Sequence, residues 1–451
     1  MMGKKVVVES RGHLVRSAGR DRLRSDGAEA RRLLSPLRRE IILLLQQLVR
    51  TDSVAIPPHG HETPAQRVLY QFLKHHKLNA EMYDISFIKK SKNPGVRHDR
   101  NYQGRKNLIA RLPGTGRGRS LLLTGHIDTV PAGLNPWKAS PWSAQVRKGR
   151  IYGRGSLDMK GGLAANFAVA VALKKAGVRL GGDLLCESVV DEEYGGGGGT
   201  LAGRMRGDNA QACAISEPTN LTLYRASRGG YVFDLMVEAG EPAAYFSKTE
   251  VVSPTVPMGR LLGWVDSWAK RRRTIAREGS AYEDFPDPAP VQVLAVEANN
   301  FNAQTPLSVP LMARMRVYMQ FLPHENVAAV IREVQKSLAT FCKQDRFFRA
   351  HPPVWRALFD PPLLGHELAA THAWTQCLAA AATSAMQTNV PVTAAEFPCD
   401  AFILHREFNI PTLLFGPSGG GAHNVNEFVD VESVIKTAEV LLTAALEWCG
   451  V

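Results

Sequence analysis

At 451 residues, 45% of them hydrophobic, the chain exceeds the size at which one core usually keeps growing, so two domains are expected. No run approaches the roughly 18–20 apolar residues of a membrane span, so no membrane-crossing helix is expected. The net charge of +13 invites a nucleic-acid partner, but residues 1–40 alone hold eleven Lys or Arg against five Asp or Glu, and RRR at 271–273 stands without interleaved aromatics, so no nucleic-acid partner is expected.

Residues 1–36 form a basic extension, compatible with a disordered tail, a transit peptide or an overlong start; its own acids count against the transit reading. REIILLLQQLVRTDSV, from Arg39, is apolar at helical spacing, and IILLL is too short for a signal-peptide core. PAQRVLYQFLKHH reads as a second helix. In HGHETP at 59–64, Thr63 can cap that helix and Pro64 can sit in its first turn, which accounts for His61 and Glu62 better than metal binding does. PGVRHDRNYQGRKN at 94–107 is a loop.

Next come short apolar runs that break into polar residues: LLLTGHIDTVP with His126 and Asp128, SVVDEEYGGGG with Glu192 and Glu193, and AISEPTN with Glu217. Between them GRGSLDMKGG carries Asp158 and leads into a small-residue helix ended by Gly177. GRGSLD lacks the remaining glycine of a dinucleotide loop and the GK[ST] of a phosphate loop. The five glycines at 195–199 allow a tight turn.

From 228 to 353 the pattern changes to strand YVFDLMVEAG, a helix around MGRLLGWVDSWAKRRR, a Pro-rich loop at 280–290, strands VQVLAVEA and LMARMRVYMQF, then a helix: an α+β layer. HELAATHAWTQCLAAAATSAM is read as a helix, with His366, His372 and His405 in surface or packing roles. LLFGPSGGGAHNVNEF then presents His423. The six cysteines, at 186, 213, 342, 377, 399 and 449, describe neither a disulfide framework nor a thiolate metal site, so a reducing cytoplasm is the default.

The apolar runs are strands buried on both faces, and in an open α/β sheet the crevice outside the carboxyl ends of the strands is where ligands bind. Two cations about 3.5–4 Å apart need a bridging carboxylate and terminal imidazole or carboxylate ligands. This set supplies them. The i, i+2 spacing puts His126 and Asp128 on one face, with His126 the ligand and Asp128 its support. The adjacent Glu192 and Glu193 divide, one towards metal and the other free to handle protons.

The motifs GHIDTVP, GRGSLDMKGG, DEEYGGGG, SEPT and GGGAHNVNE resemble, in order and spacing, those of the co-catalytic zinc exopeptidase and deacylase family, which includes acetylornithine deacetylase, succinyl-diaminopimelate desuccinylase, aminoacylase and glutamate carboxypeptidase. The resemblance covers roughly residues 37–449 and rests on several ordered motifs. It implies a zinc-exopeptidase-like α/β catalytic domain with a mixed, mostly parallel sheet, over 37–227 and 354–451, and an inserted smaller α+β lid and dimerisation domain over 228–353.

Carried over, His126 and Glu217 would hold one zinc, Glu193 and His423 the second, and Asp158 would bridge them, with Glu192 as general base; Co2+ or Mn2+ would also suit these donors. A Glu at 217 is associated in the family with carboxypeptidases and deacylases. Asp400, in CDA at 399–401, and Glu427, four residues beyond His423 on a helix expected to start there, are candidates to support the ligands.

The chain departs from the family in the lid. Tyr245 stands about where relatives carry a His that reaches the partner subunit's site to stabilise the oxyanion, and Gln320 near where many carry an Arg that grips a substrate carboxylate. Tyr245 could donate to an oxyanion or merely pack. The resulting expectation is a homodimeric, cytoplasmic amide hydrolase removing an acyl group from an N-acyl amino acid or related small molecule. The alternatives are a hydrolase of a formamide, a carbamoyl compound or an aromatic amine, and an inactive binding protein, which the intact ligand set opposes.

Overall fold

The computed structural model describes residues 25–239, 252–274, 280–298 and 309–451; Tyr245 lies outside them. A nine-stranded sheet forms the larger layer. At its centre Thr412–Leu414, Cys213–Ile215, Leu121–Thr124 and Leu184–Ser188 lie side by side and parallel. Every residue of these four strands is buried, which is why their apolar residues stand side by side rather than alternating with polar ones.

The sheet is mixed, as expected, with parallel strands at the centre and antiparallel ones at the flanks. Lys106–Leu112 and Asn79–Asp84 continue the sheet antiparallel on one side, and Leu223–Ser227 and His366–Glu367 do so on the other.

The helix Gly161–Lys175 is buried on all sides through Leu173, and only small residues let it sit that close. A Cβ on Gly162 would meet the Ser216 carbonyl oxygen at 2.0 Å. This contact brings the helix that follows Asp158 against the strand end that carries Glu217.

Three local expectations are corrected. Residues 27–34, counted with the extension, form a helix capped by Asp26, and its Ala30, Leu33 and Leu34 are buried in the main core. Thr63 starts its helix but donates to the Gly104 carbonyl instead of capping. His366 lies in a strand, and the following helix begins only at Ala373, with the His372 ring accepting from the Trp374 amide.

A second sheet runs Val291–Glu297, Met312–Phe321, Gly229–Glu238, Val354–Ala357, antiparallel throughout. Its fourth strand starts just beyond the expected boundary at 353. The helices Thr255–Arg273 and Val327–Gln344 contribute to a separate core that includes Phe233, Leu261, Trp264, Met315 and Phe321. Among the described residues no helix is long and apolar enough to cross a membrane.

Candidate active site

The four central strands end along one edge, and each hands a side chain to the same place. His126 follows Leu121–Thr124 by two residues, Glu192 and Glu193 follow Leu184–Ser188, and Glu217 follows Cys213–Ile215. His423 sits beyond Thr412–Leu414 in a tight turn, at φ 58°. Asp158 arrives from the segment leading into Gly161–Lys175.

These side chains meet. His126 Nε2 lies 3.1 Å from Asp158 Oδ1 and 3.7 Å from Glu217 Oε1. His423 Nε2 lies 2.8 Å from Glu193 Oε2 and 3.2 Å from Asp158 Oδ2. Asp158 therefore turns one oxygen to each imidazole. The ligand atoms of His126, Asp158 and Glu193 all fall within 4.8 Å of one another.

The charges interact strongly. Burial acts to raise Asp158, but hydrogen bonds from the two imidazoles outweigh it and hold the carboxyl below its usual range. Burial acts to lower His126, and the Glu217 and Asp158 carboxylates lift it well above its usual value instead. The Glu193 charge carries His423 up to about 11, while burial raises Glu217 to about 8 and Glu192 well above the carboxylate range.

This is a largely buried cluster of acids facing two imidazoles. Two imidazoles and three carboxylates, one presenting a different oxygen to each side, fit a pair of divalent cations. Among the described residues the Glu192 carboxylate has no hydrogen-bond partner; only its main chain is held, the amide by Asp128 and the carbonyl by the Gly195 amide.

Asp128 is placed differently from expectation. His126 Nδ1 lies 2.9 Å from the Asp128 carbonyl oxygen, and 3.7 Å from its carboxylate. That main-chain contact sets the proton on Nδ1 and leaves Nε2 to face the acids. The carboxylate instead accepts the amide N–H groups of Glu192 and Glu193 through Oδ2, at 3.0 Å each. The i, i+2 spacing brings the backbone, not the side chain, to the ring.

Glu427 is wholly buried and accepts from Arg154 Nη1 at 2.7 Å and from the amides of Gly155, Leu157 and Asp158 at 2.9–3.1 Å. It lies in a turn, not on a helix: the helix begins at Val431, because Gly421, His423 and Asn426 take positive φ. Asp400 accepts from Thr200 Oγ1 at 2.6 Å, and burial raises it to about 7.

Gln320 is committed to the junction of the two sheets. Its side chain accepts from Arg228 Nη1 and donates to the Tyr318 hydroxyl and the Glu396 carbonyl.

Sequence reasoning passed over the layer behind the acids. Arg105 contacts Glu62 Oε1 through Nε at 3.0 Å and Asp191 Oδ1 through Nη1 at 3.0 Å, all three buried. Arg97 and Arg100 donate to the carbonyls of Gly195 and Tyr194, pinning the glycine turn. One signal was available: Asp191 makes three consecutive acids where metal and base account for two.

An α/β sheet with imidazoles and carboxylates gathered at its carboxyl edge defines a hydrolase of the metallopeptidase class. The chain belongs to peptidase family M20/M25/M40, whose family model matches residues 122–447.

It is 26% identical over 436 residues to N-formyl-4-amino-5-aminomethyl-2-methylpyrimidine deformylase of Halalkalibacterium halodurans, spanning 91% of this chain and 94% of that one. A succinyl-diaminopimelate desuccinylase of Methylobacterium radiotolerans is 37% identical over 124 residues, 26% of this chain and 31% of that one. In fold it is similar to the di-peptidase Dug1p from Saccharomyces cerevisiae, at TM-score 0.74 and 15% identity, covering 94% of this chain and 99% of that chain. The chain is thus an M20-family hydrolase, with relatives named for cleavage of C–N bonds.

Proposed function

We propose that the protein hydrolyses the C–N bond of a small amide with two divalent cations, held by His126 and Glu217 on one side, Glu193 and His423 on the other, and Asp158 between. The observation that carries this reading is the Asp158 carboxylate, with one oxygen towards each imidazole. Zinc, cobalt and manganese all suit these donors. When bound, such cations acidify a water molecule and polarise the amide carbonyl.

The residues of the chain do the rest. Glu192 takes a proton from the attacking water and delivers it to the amine nitrogen as the C–N bond breaks. Asp128 holds the Glu192 and Glu193 amides, and so sets where base and ligand stand.

A formamide of a non-peptide amine is the favoured substrate class. The support is the deformylase likeness over nine-tenths of both chains, together with Gln320, whose buried amide is engaged elsewhere and offers no cation to a substrate carboxylate. An N-acyl amino acid is the second reading, favoured by Glu217 and by the desuccinylase match.

A screen of metal-reconstituted protein against formamides, N-acyl amino acids and dipeptides separates these. Turnover of formamides alone supports the first reading, and turnover of acyl-amino acids alone replaces it with the second. No hydrolysis of any amide overturns both. The six cysteines are all free, which supports a reducing, cytoplasmic setting, and the exposed edge of the second sheet supports a homodimer.

A further inference from the structure

Two of the proposed ligands stand on segments that share a single anchor. His423 sits in a turn closed by the Asn424 amide donating to the Gly421 carbonyl, and Glu427 ends this loop. From there Glu427 grips the Asp158 segment five times. Its main-chain carbonyl accepts from the Gly153 amide at 2.9 Å. Its Oε2 accepts from Arg154 Nη1 and the Gly155 amide, and its Oε1 from the Leu157 and Asp158 amides.

Among the described residues no hydrogen bond ties the remaining ligands to Glu427. His126 is set by the Asp128 carbonyl and Glu193 by the Asp128 carboxylate.

We infer that Glu427 is a positioning residue that couples the bridging carboxylate Asp158 to the His423 turn, so that the cation position on the His423 side depends on it more than the one on the His126 side. This rests on the two-metal reading. The His423 side draws two of its three donors, His423 and Asp158 Oδ2, from segments joined through Glu427. The His126 side draws only Asp158 Oδ1 from them, and keeps His126 and Glu217.

The carboxylate is suited to the task because every group facing it donates. A glutamine of the same size would keep one oxygen for one pair of donors and turn its own N–H groups against the other pair. A buried donor left without an acceptor is destabilising, so the Asp158 segment would shift to recover its bonds. Partners that orient metal ligands typically account for about 10–100-fold in metal affinity.

The test is metal titration of the full chain against a competing chelator, using zinc and cobalt alone without substrate, on wild type, Glu427→Gln and Glu427→Asp. The expected result is two cations per wild-type chain, and one of the two weakened about 10–100-fold in each variant while the other changes less. Cobalt absorption should report the altered position.

Glu427→Asp retains the charge while withdrawing the carboxylate by one methylene, so weakening there separates positioning from simple loss of a negative charge. It also stands in if Glu427→Gln fails to fold. Two cations bound with unchanged affinity in a folded variant overturn this inference alone. Fewer than two in wild type overturns the two-metal reading and this inference with it.

Discussion

Asp128 holds Glu192 by the backbone: its Oδ2 accepts the Glu192 amide N–H at 3.0 Å. The same oxygen accepts the Glu193 amide, while Oδ1 has no hydrogen-bond partner among the described residues. This sets apart two ways in which Asp128 could matter. If it acts by fixing the pair of amides, Asp128→Asn, which keeps an acceptor oxygen and can turn its NH2 to the Oδ1 side, should be milder than Asp128→Ala. The alanine variant should lose about 10–100-fold in kcat with little change in KM. Equal losses in the two variants would instead place the effect in the charge.

Glu192 stands free at the end of the held segment, so its side chain can be changed without removing a metal donor. Glu192→Gln should bind the same number of cations as wild type and lose about 10²–10⁴-fold in kcat, the usual contribution of a positioned proton-transfer group. Metal analysis and steady-state rates on one preparation check both halves. Near-wild-type turnover would remove Glu192 as the base.

The converging strand ends were legible because burial on both faces leaves a simple trace: an apolar run, then abruptly a histidine or an acid. His126, Glu192, Glu193 and Glu217 all follow such runs, and His423 follows one across a glycine-rich turn. Asp128 and Glu427 are legible as residues that support the ligands, but not the way they do it, since each works mainly on backbone amides, and amides are present at every position and mark none. Glu427 was placed on a helix because its spacing from His423 allows one; the positive φ angles at Gly421, His423 and Asn426 decide against it. Arg105 was not legible at all. It lies in an irregular loop, and its partners Glu62 and Asp191 are 43 and 86 residues away, with no periodicity to link them.

That buried trio yields a stability prediction. Glu62 is fully buried, and burial raises it to about 7 even against the neighbouring Arg105. Replacing Arg105 with Met would strand Glu62 without its cation and leave Asp191 with only Arg100, at 3.6 Å, and the Tyr102 hydroxyl; breaking a buried pair in this way typically costs about 3–5 kcal/mol. Urea unfolding of metal-free protein should report a loss of this order. Adding Glu62→Gln should recover part of it, because one stranded acid is then neutral. A loss under about 1 kcal/mol, typical of an exposed pair, would contradict the role assigned to the trio.

His366 provides a pH dependence away from the metal site. Burial pushes its imidazole down to about 3, with the nearby His405 acting the same way, and the ring nitrogen Nδ1 meets Ser227 Oγ at 2.7 Å. An unfolded histidine takes up its proton near pH 6.5. Between these two values the unfolded chain binds one proton more than the folded chain at this position, so stability is fully present above about pH 6.5 and falls as the pH drops. The slope from this group approaches about 1.4 kcal/mol per pH unit. Glu62 and Glu427, both raised to about 7, act in the opposite sense, so the comparison must be between wild type and His366→Gln. Denaturation at several pH values from 4.5 to 6.5 should show the variant losing less stability per unit of acidification. Parallel curves would exclude His366 as the source.

Among the described residues the second sheet leaves Val291–Glu297 hydrogen-bonded on one side only, with its residues from Gln292 to Glu297 exposed. Val293, Leu294 and Val296 are 36%, 53% and 47% exposed, and Leu311 and Met312 add to the same region. An edge this apolar, without lysine or proline inside it, invites another strand. Antiparallel pairing of two copies along it would satisfy the open backbone groups and cover the side chains. Light scattering should give twice the chain mass for wild type and a single chain mass for the double variant Val293→Lys, Val296→Lys. A dimeric variant would place the interface elsewhere, and a monomeric wild type would end the homodimer proposal. Turnover decides what the pairing is for: a monomeric variant with wild-type kcat would mean that one chain completes its own site. A large loss of kcat with both cations retained would mean that the partner contributes to catalysis.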